Sequence, residues 1–212
     1  MIYFIVTTSL YNNSIVRRNQ YYKGIRQLKK TIKDLLITNY KLIIVENNGL
    51  RKTFLDGLGD VFYTNNNYIK TNNKGIKELI DIKNTISKYN INDNDFIVKM
   101  TGRYIINNNS EFMNIIKNIK VNKYDCVIKF GSIYKIQPKK IEDDCITGLI
   151  GMTCFYVKQV EIPQTNKIWV EWEWAKIANK IKKSKIYQIK QLGINICPQF
   201  DINIISSKYY LF

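Results

Sequence analysis

The chain has 212 residues, a mass of 25.0 kDa and a formal net charge of +16. That length suits one large domain, or two small ones, and a single core of this size buries roughly 70% of the surface its unfolded chain exposes. Histidine is absent, which excludes Ser-His-Asp and Cys-His catalysis, and any His-ligated metal, from this chain alone.

Four cysteines, Cys126, Cys145, Cys154 and Cys197, show no C-x-x-C spacing, and three stand in apolar runs. They read as buried thiols in a reducing compartment. The N-terminal MIYFIVTTSLY carries no basic region ahead of its apolar run, and the run is too short to span a membrane. A soluble, intracellular protein is expected. The positive charge would suit nucleic acid, an anionic membrane or an anionic substrate. Its lysines, however, are scattered along every predicted helix instead of clustering, and the Ile, Asn and Lys bias is what AT-rich codons produce. A solvated surface explains most of them, and nucleic-acid binding is the minority reading.

In chain order, IYFIVTTSL (2–10) is an apolar, β-branched strand ending in hydroxyls. Residues 15–36 follow with Tyr21, Ile25, Leu28, Ile32 and Leu35 at helical spacing. KLIIVENN (41–48) is a second continuous strand, stopped by Glu46, Asn47, Asn48 and Gly49. A short helix around 51–58 leads to a third strand, DVFYTNNN (60–67). An amphipathic helix then runs from Lys74 to Tyr89, with Ile76, Leu79, Ile80 and Ile86 on one side and Asn73 as its cap.

DFIVKMTGRY (95–104) is a buried strand running into a polar turn, and Ser110 caps a helix carrying Phe112, Ile115, Ile116 and Ile119. Strands alternating with helices predict a mostly parallel, Rossmann-like α/β sheet covered on both faces. After residue 121 the pattern becomes mixed. YDCVIKFGSI and GLIGMTCFYV read as strands, WVEWEWAKIANKIKK as a helix and IYQIKQLGINI as a last strand. No Pro/Gly/Ser-rich linker divides the chain, so one domain with two subregions, 1–120 and 121–212, is expected.

Every strand of the first half ends in polar residues: Thr7, Thr8 and Ser9; Glu46, Asn47 and Asn48; Asn65, Asn66 and Asn67; Lys99, Thr101 and Arg103. In a parallel sheet these ends share one edge, where open α/β sheets bind ligands. Lys74 at a helix start, Lys99 and Arg103 add an arginine fork, ammonium groups and helix N–H groups, which suit a diphosphate. Neither G-x-x-x-x-G-K-[ST] nor a strand-linked G-x-G-x-x-G occurs, which disfavours P-loop kinases and ordinary dinucleotide-binding dehydrogenases.

The order of TTSL, VENNG, YTNNN, TNNKGIKEL, DFIVKMTGRY, GLIGMTCFYV and WVEWEWA resembles a small glycosyltransferase of the GT-A fold. It is similar to the family-2-like sugar transferases of bacterial polysaccharide clusters and large DNA viruses, and a viral protein would act in the host cytoplasm. The resemblance implies that 1–120 holds a nucleoside-diphosphate sugar and 121–212 a glycan or glycosylated acceptor. Thr7, Thr8, Ser9 and Glu46 would surround the nucleoside, and Asn73 and Lys74 would approach the donor. The turn after FIVKM would stand where such enzymes carry a metal-binding D-x-D for Mn²⁺ or Mg²⁺. Here Lys99, Met100, Thr101, Gly102 and Arg103 offer no carboxylate, so the metal is unassigned and metal-independent action is open. Asp93-Asn94-Asp95 precedes the strand and reads as a turn. Lys99 and Arg103 are then candidates to meet the charge of a departing nucleoside diphosphate, or else to pair with Asp or Glu at the sheet edge.

In WVEWEWAK, Glu171 and Glu173 are the candidate general bases of an inverting transfer. On a helix they stand about 200° apart and one alone would face the site; on a strand both would. Glu171 is preferred because it lies nearer the helix start and because the resemblance implies a base that follows an aliphatic residue, as Glu171 follows Val170. Trp169, Trp172 and Trp174 suit sugar faces as well as protein cores, and taken alone they read as core packing that anchors the helix start.

Overall fold

The computed structural model describes residues 1–10, 14–131, 140–165, 167–196 and 210–211. Cys197, predicted as a buried thiol, lies outside the described residues. In chain order the elements are β1 (Ile2–Thr8), α1 (Ile15–Asp34), β2 (Tyr40–Glu46), β3 (Asp60–Tyr63), α2 (Lys74–Lys88), β4 (Phe96–Thr101), β5 (Ile105–Ile106), α3 (Glu111–Lys117) and α4 (Ile119–Asn122). They continue with β6 (Cys126–Ile128), β7 (Leu149–Thr153), α5 (Cys154–Gln159), α6 (Val170–Ala178), β8 (Ile186–Gln188), β9 (Ile194–Ile196) and β10 (Tyr210–Leu211).

Seven strands form the main sheet in the order β3-β2-β1-β4-β7-β6-β8. β1 pairs in parallel with β2 and β4, and β2 with β3. β7 runs antiparallel to both β4 and β6, while β8 is parallel to β6. β6, β7 and β8, which follow residue 121, therefore extend the same sheet, with β7 running against its neighbours β4 and β6. β5, β9 and β10 make a second, antiparallel sheet.

Strand alternation decides which helices lie on which face. Phe4, Val6, Val98 and Met100 pack with Tyr21, Ile25, Leu28 and Ile32 of α1 and with Phe112 and Ile116 of α3. Tyr3, Ile5, Val45 and Ile97 pack on the other face with Leu79 and Ile82 of α2, Val157 of α5 and Trp174 and Ile177 of α6. Burying one such aliphatic side chain is worth about 1.5–3 kcal/mol, so each helix is held by several of these contacts.

Helix starts follow their caps. Ser14 accepts from the Arg17 N–H, Asn73 from the Gly75 and Ile76 N–H groups, and Ser110 from the Met113 N–H. The strand read over 60–67 stops at Tyr63, the helix capped by Ser110 breaks at Asn118 into α3 and α4, and two later segments also differ from the sequence reading. GLIGMTCFYV is a strand only to Thr153 and then turns into α5, because an apolar run does not by itself distinguish strand from buried helix. IYQIKQLGINI is two strands in two sheets, separated by a loop in which Gly193 adopts φ 66°.

Candidate functional site

The C-terminal ends of β1, β2 and β4 lie side by side, since Thr7 is in register with Val45 and Thr101, and Thr8 with Glu46. Alternation then sends their polar side chains into two groups on opposite faces of the sheet.

The first group lies on the α1 face. Glu46, 0% exposed, accepts hydrogen bonds from the Thr8 hydroxyl (2.8 Å), the Leu10 N–H (3.1 Å) and the Asn48 amide (2.7 Å). It also pairs with Arg51 at 2.9 Å. A buried carboxylate needs this set of partners to offset lost hydration. The Ser9 N–H donates to the Tyr21 hydroxyl (3.0 Å), while the Ser9 hydroxyl accepts from Asn48 (3.1 Å). Burial raises the Tyr21 pKa, and the positive charge of Arg103 opposes that rise. Arg103 is half-buried, and its guanidinium lies 5.1 Å from the Tyr104 ring centroid.

Glycines bring this turn down onto its supports. A Cβ at Gly102 would stand 2.8 Å from Val6 Cγ1, and one at Gly24 of α1 would run into the Gly102 carbonyl oxygen. The Gly102 N–H donates to the Thr7 carbonyl (2.9 Å), locking the turn after β4 onto β1.

The second group lies on the α2 face and runs toward α6. Lys99, 2% exposed, forms an ion pair of 2.8 Å with Glu78 of α2 and hydrogen-bonds the Thr101 hydroxyl (3.2 Å) and the Thr147 carbonyl (2.5 Å). Thr7 and Thr101 both donate to Glu78 through their hydroxyls. The Thr147 hydroxyl donates to Glu171 of α6 at 3.2 Å. Thr7, Lys99, Thr101 and Glu171, four of the residues singled out by sequence, thus belong to one hydrogen-bonded chain, closed by Glu78 and Thr147.

The two carboxylates of this chain are pushed in opposite directions. Burial raises the Glu78 pKa, but the adjacent Lys99 charge and the hydrogen bonds from Lys99, Thr7 and Thr101 outweigh it, so Glu78 is held below the ordinary range. Burial also raises Glu171, and its own backbone N–H, Lys99 and Thr147 offset only part of the rise. Glu173 faces different partners: it pairs with Lys176 at 3.4 Å, which in turn reaches Glu161 at 3.2 Å. Of the three tryptophans, Trp174 is core, while Trp169 and Trp172 are exposed.

Asn73 joins the two helices that flank the group. Its side-chain oxygen accepts from Gly75 and Ile76 of α2, and its amide donates to the Ile168 carbonyl (3.3 Å) just before α6. Two N–H groups of the first turn of α2 are thereby already bonded within the protein, whereas the sequence offered them to a diphosphate. Lys74 is exposed beside them.

Glu78 and Asp81 are absent from the sequence reading. Asp81, 1% exposed, accepts from Thr64 (2.6 Å), Asn66 (2.7 Å) and Asn47 (3.0 Å), tying α2 to the ends of β2 and β3. Burial pushes its pKa up to about 6. The signal that would have found both is the polar line Glu78, Asp81 and Thr85, spaced i, i+3 and i+7 beside the apolar stripe of α2.

The turn after β4 does not fit a divalent ion. Its side chains are Lys99, Met100, Thr101 and Arg103, and the carboxylate that reaches it, Glu78, is already paired with Lys99. Among the described residues no three His, Cys, Asp or Glu side chains gather to hold a metal. Asp93 and Asp95 sit at the opposite end of β4, where Asp93 pairs with Lys158 (2.6 Å) and Asp95 with the N-terminal amine (2.6 Å). Among the described residues no helix is long and apolar enough to cross a membrane.

No family model matches the sequence, and neither does any curated protein. Solved structures do match. A protein assigned as a glucose-1-phosphate thymidylyltransferase from Bacillus anthracis has a TM-score of 0.55 at 12% identity, covering 89% of this chain and 86% of that one. A glycosyltransferase involved in glycosylation of the major capsid of PBCV-1 has a TM-score of 0.50 at 8% identity, covering 89% and 81%. At such identities the likeness is one of fold: the chain is a single GT-A-like, Rossmann-type α/β domain, the architecture of these two structures.

Proposed function

We propose that this protein transfers a sugar from a nucleoside-diphosphate sugar to a hydroxyl of a glycan or other acceptor, with inversion at the anomeric carbon. The observation that carries the reading is Glu171: a half-buried carboxylate of raised proton affinity, linked through Thr147 and Lys99 to the polar ends of β1 and β4. A base poised nearer neutrality than an ordinary carboxylate suits proton removal from an alcohol as it attacks.

In this reading the nucleoside lies at the strand ends carrying Thr8, Ser9 and Glu46, and the diphosphate near Asn73, Lys74 and Arg103. The acceptor oxygen bonds to the anomeric carbon while Glu171 takes its proton, and the sugar–phosphate C–O bond breaks with its electrons leaving on the nucleoside diphosphate. Arg103 offers a guanidinium to that growing charge. Lys99, neutralised by Glu78, supplies a local field from within the sheet. No step is assigned to Mn²⁺ or Mg²⁺.

A panel of uridine, guanosine, thymidine and cytidine diphosphate sugars, followed for slow donor hydrolysis with Mn²⁺ and with chelator, tests this. One donor should be hydrolysed, and its rate should survive the chelator. Hydrolysis of none of them contradicts the function; hydrolysis only with Mn²⁺ contradicts its metal-independent form.

A further inference from the structure

Thr147 takes no step in the transfer written above, yet both of its polar ends are committed. Its carbonyl accepts from the Lys99 ammonium, whose charge is balanced by Glu78, and its hydroxyl donates to Glu171. The residue is 9% exposed and precedes Gly148, whose carbonyl accepts from the Thr101 N–H at 2.9 Å. Gly148 itself is pressed on the Tyr104 ring: an added Cβ would stand 2.5 Å from its Cε2. The segment is therefore pinned on both sides, and a side chain projecting from it has little freedom to move.

We infer that Thr147 is a positioning residue: pinned through its carbonyl by the Lys99–Glu78 pair, it fixes the carboxylate of Glu171 with its hydroxyl and adjusts that group's affinity for protons. The inference rests on the reading of Glu171 as the base, but its first test does not. The groups that face Glu171 are Lys99 of β4, Glu78 of α2, Thr147 and Cys145, whose thiol donates to the Glu171 carbonyl at 3.2 Å. Lys99 and the Thr147 hydroxyl favour the carboxylate, and Glu78 disfavours it. Burial raises the Cys145 thiol well above its ordinary value, so it stays neutral throughout the relevant range.

Removing the hydroxyl therefore has a definite sign. In Thr147→Val the carboxylate loses a hydrogen bond that favours its charged form, so Glu171 should bind its proton more tightly. A hydrogen bond to a charged group corresponds to about one pH unit. Thr147→Ser keeps the donor and should titrate as the parent does.

The experiment follows the Glu171 carboxyl carbon by NMR across pH, without substrate, in the parent, Thr147→Val and Thr147→Ser, with Glu171→Gln to assign the signal. An upward displacement of about one pH unit in Thr147→Val, absent in Thr147→Ser, is expected. Unchanged titration in Thr147→Val overturns the inference, as does an equal displacement in Thr147→Ser. With a hydrolysed donor, the acid limb of the rate profile should move by the same amount. If the NMR titration moves and the acid limb does not, Thr147 still sets Glu171, and the assignment of Glu171 as the base is what falls.

Discussion

Glu171 and Glu173 are two residues apart on one helix and meet different surroundings, one tied to Thr147 and the field of Lys99, the other to the exposed Lys176. The sequence could prefer Glu171 by its place near the helix start and after an aliphatic residue but not by burial, because burial on a helix of unknown packing partners is not written in period alone. Glu171→Gln keeps shape and loses the proton acceptor. It should slow transfer by roughly 10² to 10⁴-fold with donor affinity intact, and Glu173→Gln should slow it far less. Reversed costs would move the assignment to Glu173, and two unimpaired variants would remove the inverting mechanism. Arg103 belongs to the same scale. Arg103→Ala should weaken donor binding by roughly tenfold to a hundredfold, the worth of one or two charge-assisted hydrogen bonds, with little change in melting temperature. Lysine there should restore only part, since the planar fork is lost. A large stability loss with normal affinity in the folded fraction would instead make Arg103 a structural ion-pair partner.

α2 shows what an element adds to its residues. Its apolar stripe and its Asn73 cap were legible, because amphipathic period and capping chemistry are local properties of the chain. Its polar line was not read, because the partners of Glu78 and Asp81 come from strands 15 or more residues away. The continuous apolar run over β7 and α5 failed for a related reason: tertiary packing decides between strand and helix where hydropathy does not alternate. Asp81 allows a test of how α2 holds the ends of β2 and β3. Its folded pKa, about 6, lies above the ordinary value of 3.8, so between these values the folded state binds the extra proton. Raising pH through that window therefore removes stability, by up to about 1.4 kcal/mol per pH unit. In urea melts, the stability of the parent minus that of Asp81→Asn should fall between about pH 4 and 6 and level off above 7. A difference that does not vary with pH would mean that Asp81 is already ionised in the folded protein across this range.

At the scale of the molecule, alternation of continuous apolar strands with helices was enough to predict the parallel half of the sheet, and the polar strand ends enough to predict that they share one edge. How β7 inserts antiparallel beside β4 was not legible, since strand order depends on contacts between distant segments. That insertion is what brings Thr147 beside Lys99 and carries α6 to α2. The charge of +16 fits an anionic ligand and fits nucleic acid, and the two separate by salt: nucleic-acid affinity falls steeply as salt rises, whereas one nucleoside diphosphate should hold at modest salt. The most direct measurement is accordingly the melting temperature of the protein at modest salt with uridine, guanosine, thymidine and cytidine diphosphates in turn. A ligand that binds only the folded state stabilises it by mass action, so one of the four should raise the melt at millimolar concentration. If none does, the edge formed by β1, β2 and β4 is not a nucleoside-diphosphate site.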